Sequence, residues 1–298
     1  MKIFISKSLQ DRLKLTNTKD YTLTNELETD VTVFIGFEAT AQKLMKSLPN
    51  LKYILLTTAG YNEVDLSYVK AQKITLTNAT GVFSIPIAES IVSNILAFNR
   101  KHSTYFNQQQ KGQWIRHEDL IELTGAHVGF LGGGSIAEAT LTALKGFNIT
   151  SSVYRKTANK GPFDKVYTTK AGLKTLFKES DYIINTLPFN KDTEDLVDET
   201  LLSLAKPNLF YVNVGRGQTN DEKAILMALR NKTIRGAYLD VFKVEPLIDN
   251  YYLEPNLIIT PHNSQSSTKN NQRLHDLMIK NLENIVHHRA LINKVDID

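Results

Sequence analysis

Cysteine is absent from this sequence, so disulfides, thiolate metal sites and a cysteine nucleophile all drop out, and no oxidising compartment is required. Long apolar runs are missing too. Nothing approaches the roughly 18 residues of a membrane span, and the apolar stretch in the opening MKIFISKSLQDRLK is too short for a secretion signal. A cytoplasmic protein without a membrane partner is expected. Charge of one sign is equally scarce: the formal net charge is only +4, and Lys and Arg are scattered among Asp and Glu. Without a basic stripe to meet a phosphate backbone, nucleic acid is not an expected partner. No metal centre is expected either. Glycine and proline, at 15 and 8 residues, are too few for a disordered or fibrous chain.

What is present is an apolar share of 42% over 298 residues, enough for a sizeable core. At roughly 100 to 200 residues per domain this length fits two domains. Short β-branched and aromatic runs recur as KIFIS, VTVFIG, YILLTT, KITLTN, HVGFLG, SSVYR, YIINTL, LFYVNV, GAYLDVF and LIITP, separated mostly by stretches of helical spacing such as 38 to 48 and 221 to 231. That alternation predicts an α/β protein with two doubly wound parallel-sheet domains. Longer helices are expected from Ile85 to about Phe106 and from Ser266 to His288, the second with Leu274, Met278, Leu282 and Ile285 on one face. The expected organisation is a Rossmann cofactor domain at 99–265, inserted into a flavodoxin-like substrate domain made of 1–98 and 266–298.

The segment HVGFLGGGSIAEATLTALKGF places Gly132, Gly134 and Ala137 after an apolar strand and at the start of a helical pattern, a GxGxxA loop in its proper setting. Gly132 permits the turn, Gly134 lets backbone approach a pyrophosphate, and Ala137 keeps helix and strand close. The helix start, at Ser135 and Ile136, offers free amides to the anion. About twenty residues on, where a carboxylate for the ribose hydroxyls of NAD would stand, the chain reads SSVYRKT. Arg155 and Lys156 there suit the 2′-phosphate of NADP instead, through a fork of donors and a point charge. NADPH is the favoured cofactor and NADH stays open as the alternative.

Three segments in the last third end strands on polar residues: LFYVNVGRGQTNDEKAILMAL, IRGAYLDVFKVEPL and NLIITPHNSQSS. In a doubly wound sheet the carboxyl ends of strands face the ligand crevice, so Arg216, Asp240, Glu245 and His262 are expected there. Thr219 and Glu222 match a capping box, which puts Arg216 on the loop before the next helix. The other histidines, such as His127 and His275, are read as structural.

These residues resemble the D-isomer-specific 2-hydroxyacid dehydrogenases. TTAGYNEVD, TNATGVFSIPIAES, VGFLGGGSIA, TLPFNKDTEDLVDETLLSLAKPNLFYVNVGRG, AYLDVFKVEPL and TPHNS fall in that family's order over nearly the whole chain. The resemblance implies hydride transfer from NAD(P)H to a small 2-keto acid, giving a D-2-hydroxy acid. It implies that Arg216 grips the substrate, that Glu245 orients the imidazole and that His262 donates the proton. The backbone at Thr58, Ala59 and Gly60 would bind the carboxylate, Leu187 and Pro188 would border the dinucleotide, and Asp240 would contact the nicotinamide end. A homodimer is implied as well. Ala137, Asn263 and Arg155 depart from the family's usual pattern, and of these Arg155 bears on cofactor choice.

The chemistry suits the residue types. Hydride arriving at a ketone carbon leaves charge on oxygen, which an acid near neutral can quench for roughly 10²- to 10⁴-fold. A carboxylate on the other ring nitrogen fixes the imidazole and favours its charged form. A forked, always-charged Arg can hold a 2-keto acid and polarise its carbonyl. The competing expectation is a dinucleotide-sensing regulatory protein of the same fold, similar to transcriptional corepressors.

Overall fold

The computed structural model describes residues 1–247 and 254–297. The chain divides into two compact units, Met1–Phe83 with Ser267–Asp298, and Ser84–Ser266. In chain order the first unit holds β1 (Lys2–Ile5), α1 (Lys7–Leu13), β2 (Thr22–Thr24), β3 (Val33–Gly36), α2 (Glu38–Leu44), β4 (Tyr53–Leu56), α3 (Leu66–Ala71) and β5 (Thr75–Thr77). The second continues with α4 (Ser84–Asn99), α5 (His102–Gln110), β6 (His127–Leu131), α6 (Ser135–Leu144), β7 (Thr150–Tyr154), β8 (Lys165–Tyr167), α7 (Lys170–Glu179) and β9 (Tyr182–Asn185). It closes with α8 (Glu199–Leu202), β10 (Phe210–Asn213), α9 (Glu222–Arg230), β11 (Gly236–Leu239) and β12 (Leu257–Ile259), after which α10 (Asn270–Val286) belongs to the first unit again.

The first unit is built on a parallel five-stranded sheet in the order β2-β1-β3-β4-β5, the flavodoxin-like arrangement. Its strands alternate between two buried faces. Ile3, Ile5, Val33 and Ile35 join Leu274, Met278, Leu282 and Ile285 of α10 in one cluster, and Phe4, Phe34, Ile54 and Leu76 join Ala41, Met45 and Val69 in another. The face expected for the last helix is thus the one it buries, each large apolar side chain contributing roughly 1.5–3 kcal/mol.

The second unit carries a parallel seven-stranded sheet in the order β12-β11-β10-β9-β6-β7-β8. Strand order reverses between β6 and β9, so the loops after these two strands flank the crevice where doubly wound sheets take ligands.

Three differences from the sequence reading have local causes. β2 and β8 lie outside every apolar run quoted above; each is a three-residue edge strand with no fully buried position, so no hydrophobic signal marks it. The helix expected over 85–106 is two helices, because Lys101 adopts φ +54° between α4 and α5. And α4 groups with the second unit rather than ending the first. Ser90 Oγ and Tyr238 Oη lie 2.8 Å apart, Asn99 Nδ2 donates to Tyr182 Oη at 2.7 Å, and the Phe98 ring centroid stands 4.5 Å from that of Phe210.

Candidate active site

After β6 the chain turns at once through Gly132, whose φ of +87° lies in the left-handed region that glycine enters without cost. A Cβ there would also stand 3.0 Å from Thr186 Oγ1 on the loop after β9. Gly134 is the N-cap of α6; it offers no side-chain cap, and a Cβ on it would meet nothing within 4 Å. Ser135 and Ile136 follow in the first turn, whose amides have no intrahelical acceptor, and Ala137 is fully buried beneath them.

Arg155, just past β7, lies half-buried over this loop: a Cβ on Gly133 would fall 3.2 Å from its Nη1, and one on Gly161 3.5 Å from the same atom. Its guanidinium has no hydrogen bond or ion pair among the described residues. Lys156 instead pairs with Asp192 at 2.8 Å, both groups being exposed, and that hydrogen bond raises the ammonium pKa above its ordinary value. Leu187 is buried beside Gly132 and Gly215, with its amide donating to Asn185 Oδ1 at 3.1 Å, and Pro188 is exposed. Open space at Gly134, uncapped helical amides and an unpartnered guanidinium make a set that fits a dinucleotide and its phosphates.

The loop after β10 presents Arg216 in extended backbone, half-buried. Its carbonyl accepts from Thr219 Oγ1 at 2.6 Å and Asn213 Nδ2 at 3.2 Å, while Asn213 Oδ1 accepts the Gly215 amide at 2.9 Å. Gly217 has no room for a side chain, because a Cβ would collide with the Phe242 carbonyl. Of the guanidinium donors, Nη1 meets the Gly215 carbonyl at 2.7 Å. The rest of the fork remains available to an anion.

The expected capping box is corrected here. Asp221, not Thr219, caps α9, its carboxylate accepting from the Lys223 and Ala224 amides at 3.0 and 3.2 Å. Thr219 ties the Arg216 loop, and Glu222 reaches across to accept the Lys243 amide at 2.6 Å. A Ser/Thr-x-x-Glu pattern with an Asp inside it offers two cap registers, and the Asp took the helix.

His262 follows Pro261 beyond β12 and takes φ +49°, a sparsely populated conformation for a side chain of its size. Its Nδ1 meets Glu245 Oε2 at 2.7 Å, and the other Glu245 oxygen accepts the Phe242 amide at 2.9 Å. The imidazole is 44% and the carboxylate 35% exposed, and Nε2 has no partner among the described residues. The arrangement leaves one nitrogen oriented by a carboxylate and the other free to meet a ligand.

Asp240 stands directly after β11. Its side chain is 1% exposed and turned inward, where its oxygens accept from Thr260 Oγ1, the Asn263 amide at 2.9 Å, and the amide and hydroxyl of Ser264. The His262 amide donates to the Asp240 carbonyl at 2.8 Å. The loop carrying His262 is therefore wrapped around this one residue.

In the first unit, the loop after β4 carries Thr58, Ala59 and Gly60. Thr58 Oγ1 donates to the Gly60 carbonyl at 2.9 Å, and Asn78 Nδ2 to the Ala59 carbonyl at the same distance. The carbonyls are thereby turned to protein partners, and the Ala59 and Gly60 amides have no acceptor among the described residues.

Sequence reasoning missed the buried polar groups behind these loops. Asn185 donates to Tyr211 Oη and Thr219 Oγ1, both at 2.9 Å, and Tyr211 donates to Asn220 Oδ1 at 2.6 Å. Burial pushes the Tyr211 hydroxyl far up, so it stays a donor throughout the working range. Asn at the ends of β9 and β10 is the one signal that marked them. Among the described residues no group of side chains is arranged to hold a metal ion, and no helix is long and apolar enough to cross a membrane.

A dinucleotide loop at the switch point of a parallel sheet, joined to an Arg and an imidazole–carboxylate pair on neighbouring strand ends, defines a nicotinamide-dependent oxidoreductase. Residues 92–264 match the NAD-binding domain of the D-isomer specific 2-hydroxyacid dehydrogenases, and the chain belongs to that family. As a member it interconverts small 2-keto acids and D-2-hydroxy acids with a nicotinamide dinucleotide. A glyoxylate reductase of Thermofilum pendens is 30% identical over 85% of this chain and 78% of its own length. A glycerate dehydrogenase of Methylorubrum extorquens is 28% identical over 81% of this chain and 78% of its own. Among solved structures, a D-isomer specific 2-hydroxyacid dehydrogenase family protein from Aeromonas salmonicida superposes with a TM-score of 0.84 at 25% identity, covering 100% of this chain and 99% of that one. An NADPH-dependent glyoxylate/hydroxypyruvate reductase from Sinorhizobium meliloti, in complex with NADP and malonate, gives 0.76 at 25% identity over 99% and 97%. These relatives are enzymes, and the regulatory alternative finds no support among them.

Proposed function

We propose that this enzyme is an NADPH-preferring reductase of small 2-keto acids of the glyoxylate and hydroxypyruvate kind. The observation that carries it is the Glu245–His262 pair at 2.7 Å with Nε2 left free, on the same edge of the second unit's sheet as Arg216. A nicotinamide dinucleotide, when bound, would supply the hydride. His262 Nε2 gives its proton to the substrate oxygen, Glu245 holds the ring in place through Nδ1, and Arg216 takes the carboxylate and polarises the carbonyl. On the first unit, the free amides of Ala59 and Gly60, with Thr58, are suited to bind a substrate carboxylate. Gly132, Gly134, Ser135, Ile136, Leu187 and Pro188 hold the dinucleotide, with Asp240 toward its nicotinamide end.

NADPH preference follows from Arg155, whose unpartnered guanidinium stands at the glycine loop, with Lys156 beside it on an exposed ion pair of small worth. The names of the relatives support the substrate class. A panel of glyoxylate, hydroxypyruvate, pyruvate and branched 2-keto acids, run with NADPH and with NADH, tests the reading. NADPH oxidation with the small acids is expected, and no oxidation of either dinucleotide with any of them would end it. Arg155→Asp should move preference toward NADH; an unchanged ratio would remove Arg155 from the phosphate site.

We also propose a cytoplasmic homodimer. No residue of α5 is buried, and Phe106, Trp114 and Ile115 are 65%, 96% and 50% exposed, an apolar surface that its own unit leaves uncovered. Sedimentation should give a dimer that Trp114→Glu weakens, whereas a monomeric parent would refute the assignment.

A further inference from the structure

The Asp240 carboxylate is the end point of a part-buried chain of hydroxyls. Thr260 Oγ1 donates to Asp240 Oδ1; Tyr238 Oη lies 3.0 Å from Thr260 Oγ1, and Ser90 Oγ lies 2.8 Å from Tyr238 Oη. Each hydroxyl has one hydrogen to give. Because Thr260 spends its hydrogen on Asp240, Tyr238 must donate to Thr260, and Ser90 must donate to Tyr238. The Asn94 amide nitrogen, 3.5 Å from Ser90 Oγ, stands at the head of the chain as a donor. The direction of every bond is thus set by the acceptor at the end. Tyr238 is fully buried in β11, and burial raises its hydroxyl pKa above the ordinary tyrosine value.

What the chain holds is the backbone of His262. Asp240 gathers the amides of Asn263 and Ser264 with its carboxylate and the His262 amide with its carbonyl, and His262 between them sits at φ +49°. A left-handed conformation at a non-glycine residue persists only where the surroundings over-determine it. Tyr238 holds the Thr260 hydroxyl in the rotation that donates to Asp240; released from it, that hydroxyl would be free to turn away, and with one donor fewer the loop would relax toward ordinary φ and the imidazole would turn from Glu245.

We propose that Tyr238, acting through Thr260 and Asp240, is a positioning residue that keeps His262 aimed for proton transfer. The inference rests on His262 being the proton donor. Tyr238 is fully buried, out of reach of a ligand, so its removal should lower turnover and leave binding alone.

The test compares Tyr238→Phe, Thr260→Val and Thr260→Ser in the full chain, measuring kcat, substrate KM and the dissociation constant of NADPH by fluorescence. Loss of one internal hydrogen bond predicts kcat about 5- to 20-fold lower in Tyr238→Phe, with KM and NADPH affinity within about twofold. Thr260→Val should fall at least as far and Thr260→Ser, which keeps the hydroxyl, should recover most of that loss. Because both residues act on one chain, the double variant Tyr238→Phe/Thr260→Val should be no slower than Thr260→Val alone. Unchanged kcat in Tyr238→Phe, equal losses in kcat and NADPH binding, or additive losses in the double variant would each overturn the inference. His262→Ala run alongside separates the two readings: full turnover there would remove the proton donor itself.

Discussion

Glu245 divides its two oxygens between a task in its own loop and a task in the next: one accepts the Phe242 amide at 2.9 Å, the other meets His262 Nδ1 at 2.7 Å. Glu245→Gln can keep the first bond through its amide oxygen but brings no charge to the imidazole. The expected result is a kcat lower by about 10- to 100-fold with dinucleotide affinity unchanged. A kcat within twofold of the parent would show that His262 needs no carboxylate.

The glycines separate packing from ligand approach. Gly217→Ala should cost several degrees of melting temperature or the soluble protein itself, since its Cβ meets the Phe242 backbone and neither side can yield. Gly134→Ala has open space around its Cβ, so the melting temperature should hold while NADPH binds about tenfold more weakly. The reverse pattern would place the pyrophosphate elsewhere.

Lys156 is held at 2.8 Å by Asp192. Asp192→Asn removes the competing carboxylate and its charge from the region assigned to the 2′-phosphate. KM for NADPH should fall severalfold at low salt, the difference shrinking as salt rises, with KM for NADH little changed. Equal changes for both dinucleotides would exclude Lys156 from phosphate recognition.

His127, half-buried at the start of β6 with Thr150 and Ser152 on its ring nitrogens at 2.8 and 3.0 Å, has its pKa lowered from 6.5, chiefly by burial. The native state therefore holds the neutral ring more firmly than the unfolded chain does. That stabilisation is present above pH 6.5 and is lost as pH falls from there through the lowered folded value. Melting temperature should drop between pH 7 and pH 5, and less steeply in His127→Gln. Parallel slopes would mean that other groups govern the acid limb.

Much of this molecule was legible because its signals are local. Apolar runs marked the central strands, the spacing of Leu274, Met278, Leu282 and Ile285 marked the face of α10, and Gly132 and Gly134 announced a loop that backbone sterics impose. The cap of α9 was ambiguous because Thr219 and Asp221 both carry a capping oxygen, and only packing around Arg216 chooses between them. The bonds Asp240 makes to its own loop were not legible, because a strand-end carboxylate reads the same whether it faces a ligand, its own loop or both. The hydroxyls of Tyr211 and Tyr238 left no trace, since an aromatic residue in a strand is accounted for by its ring alone.

The discontinuous first unit has a consequence for biosynthesis. Its core cluster of Ile3, Ile5, Val33 and Ile35 is closed by α10, whose residues leave the ribosome only after the whole of Ser84–Ser266. The second unit has all its strands in hand by then and can fold while translation continues, whereas the first must wait with one face of its sheet uncovered. That face, β-rich and apolar, is the surface a nascent chain would need shielded, and slowing the last codons would lengthen its exposure.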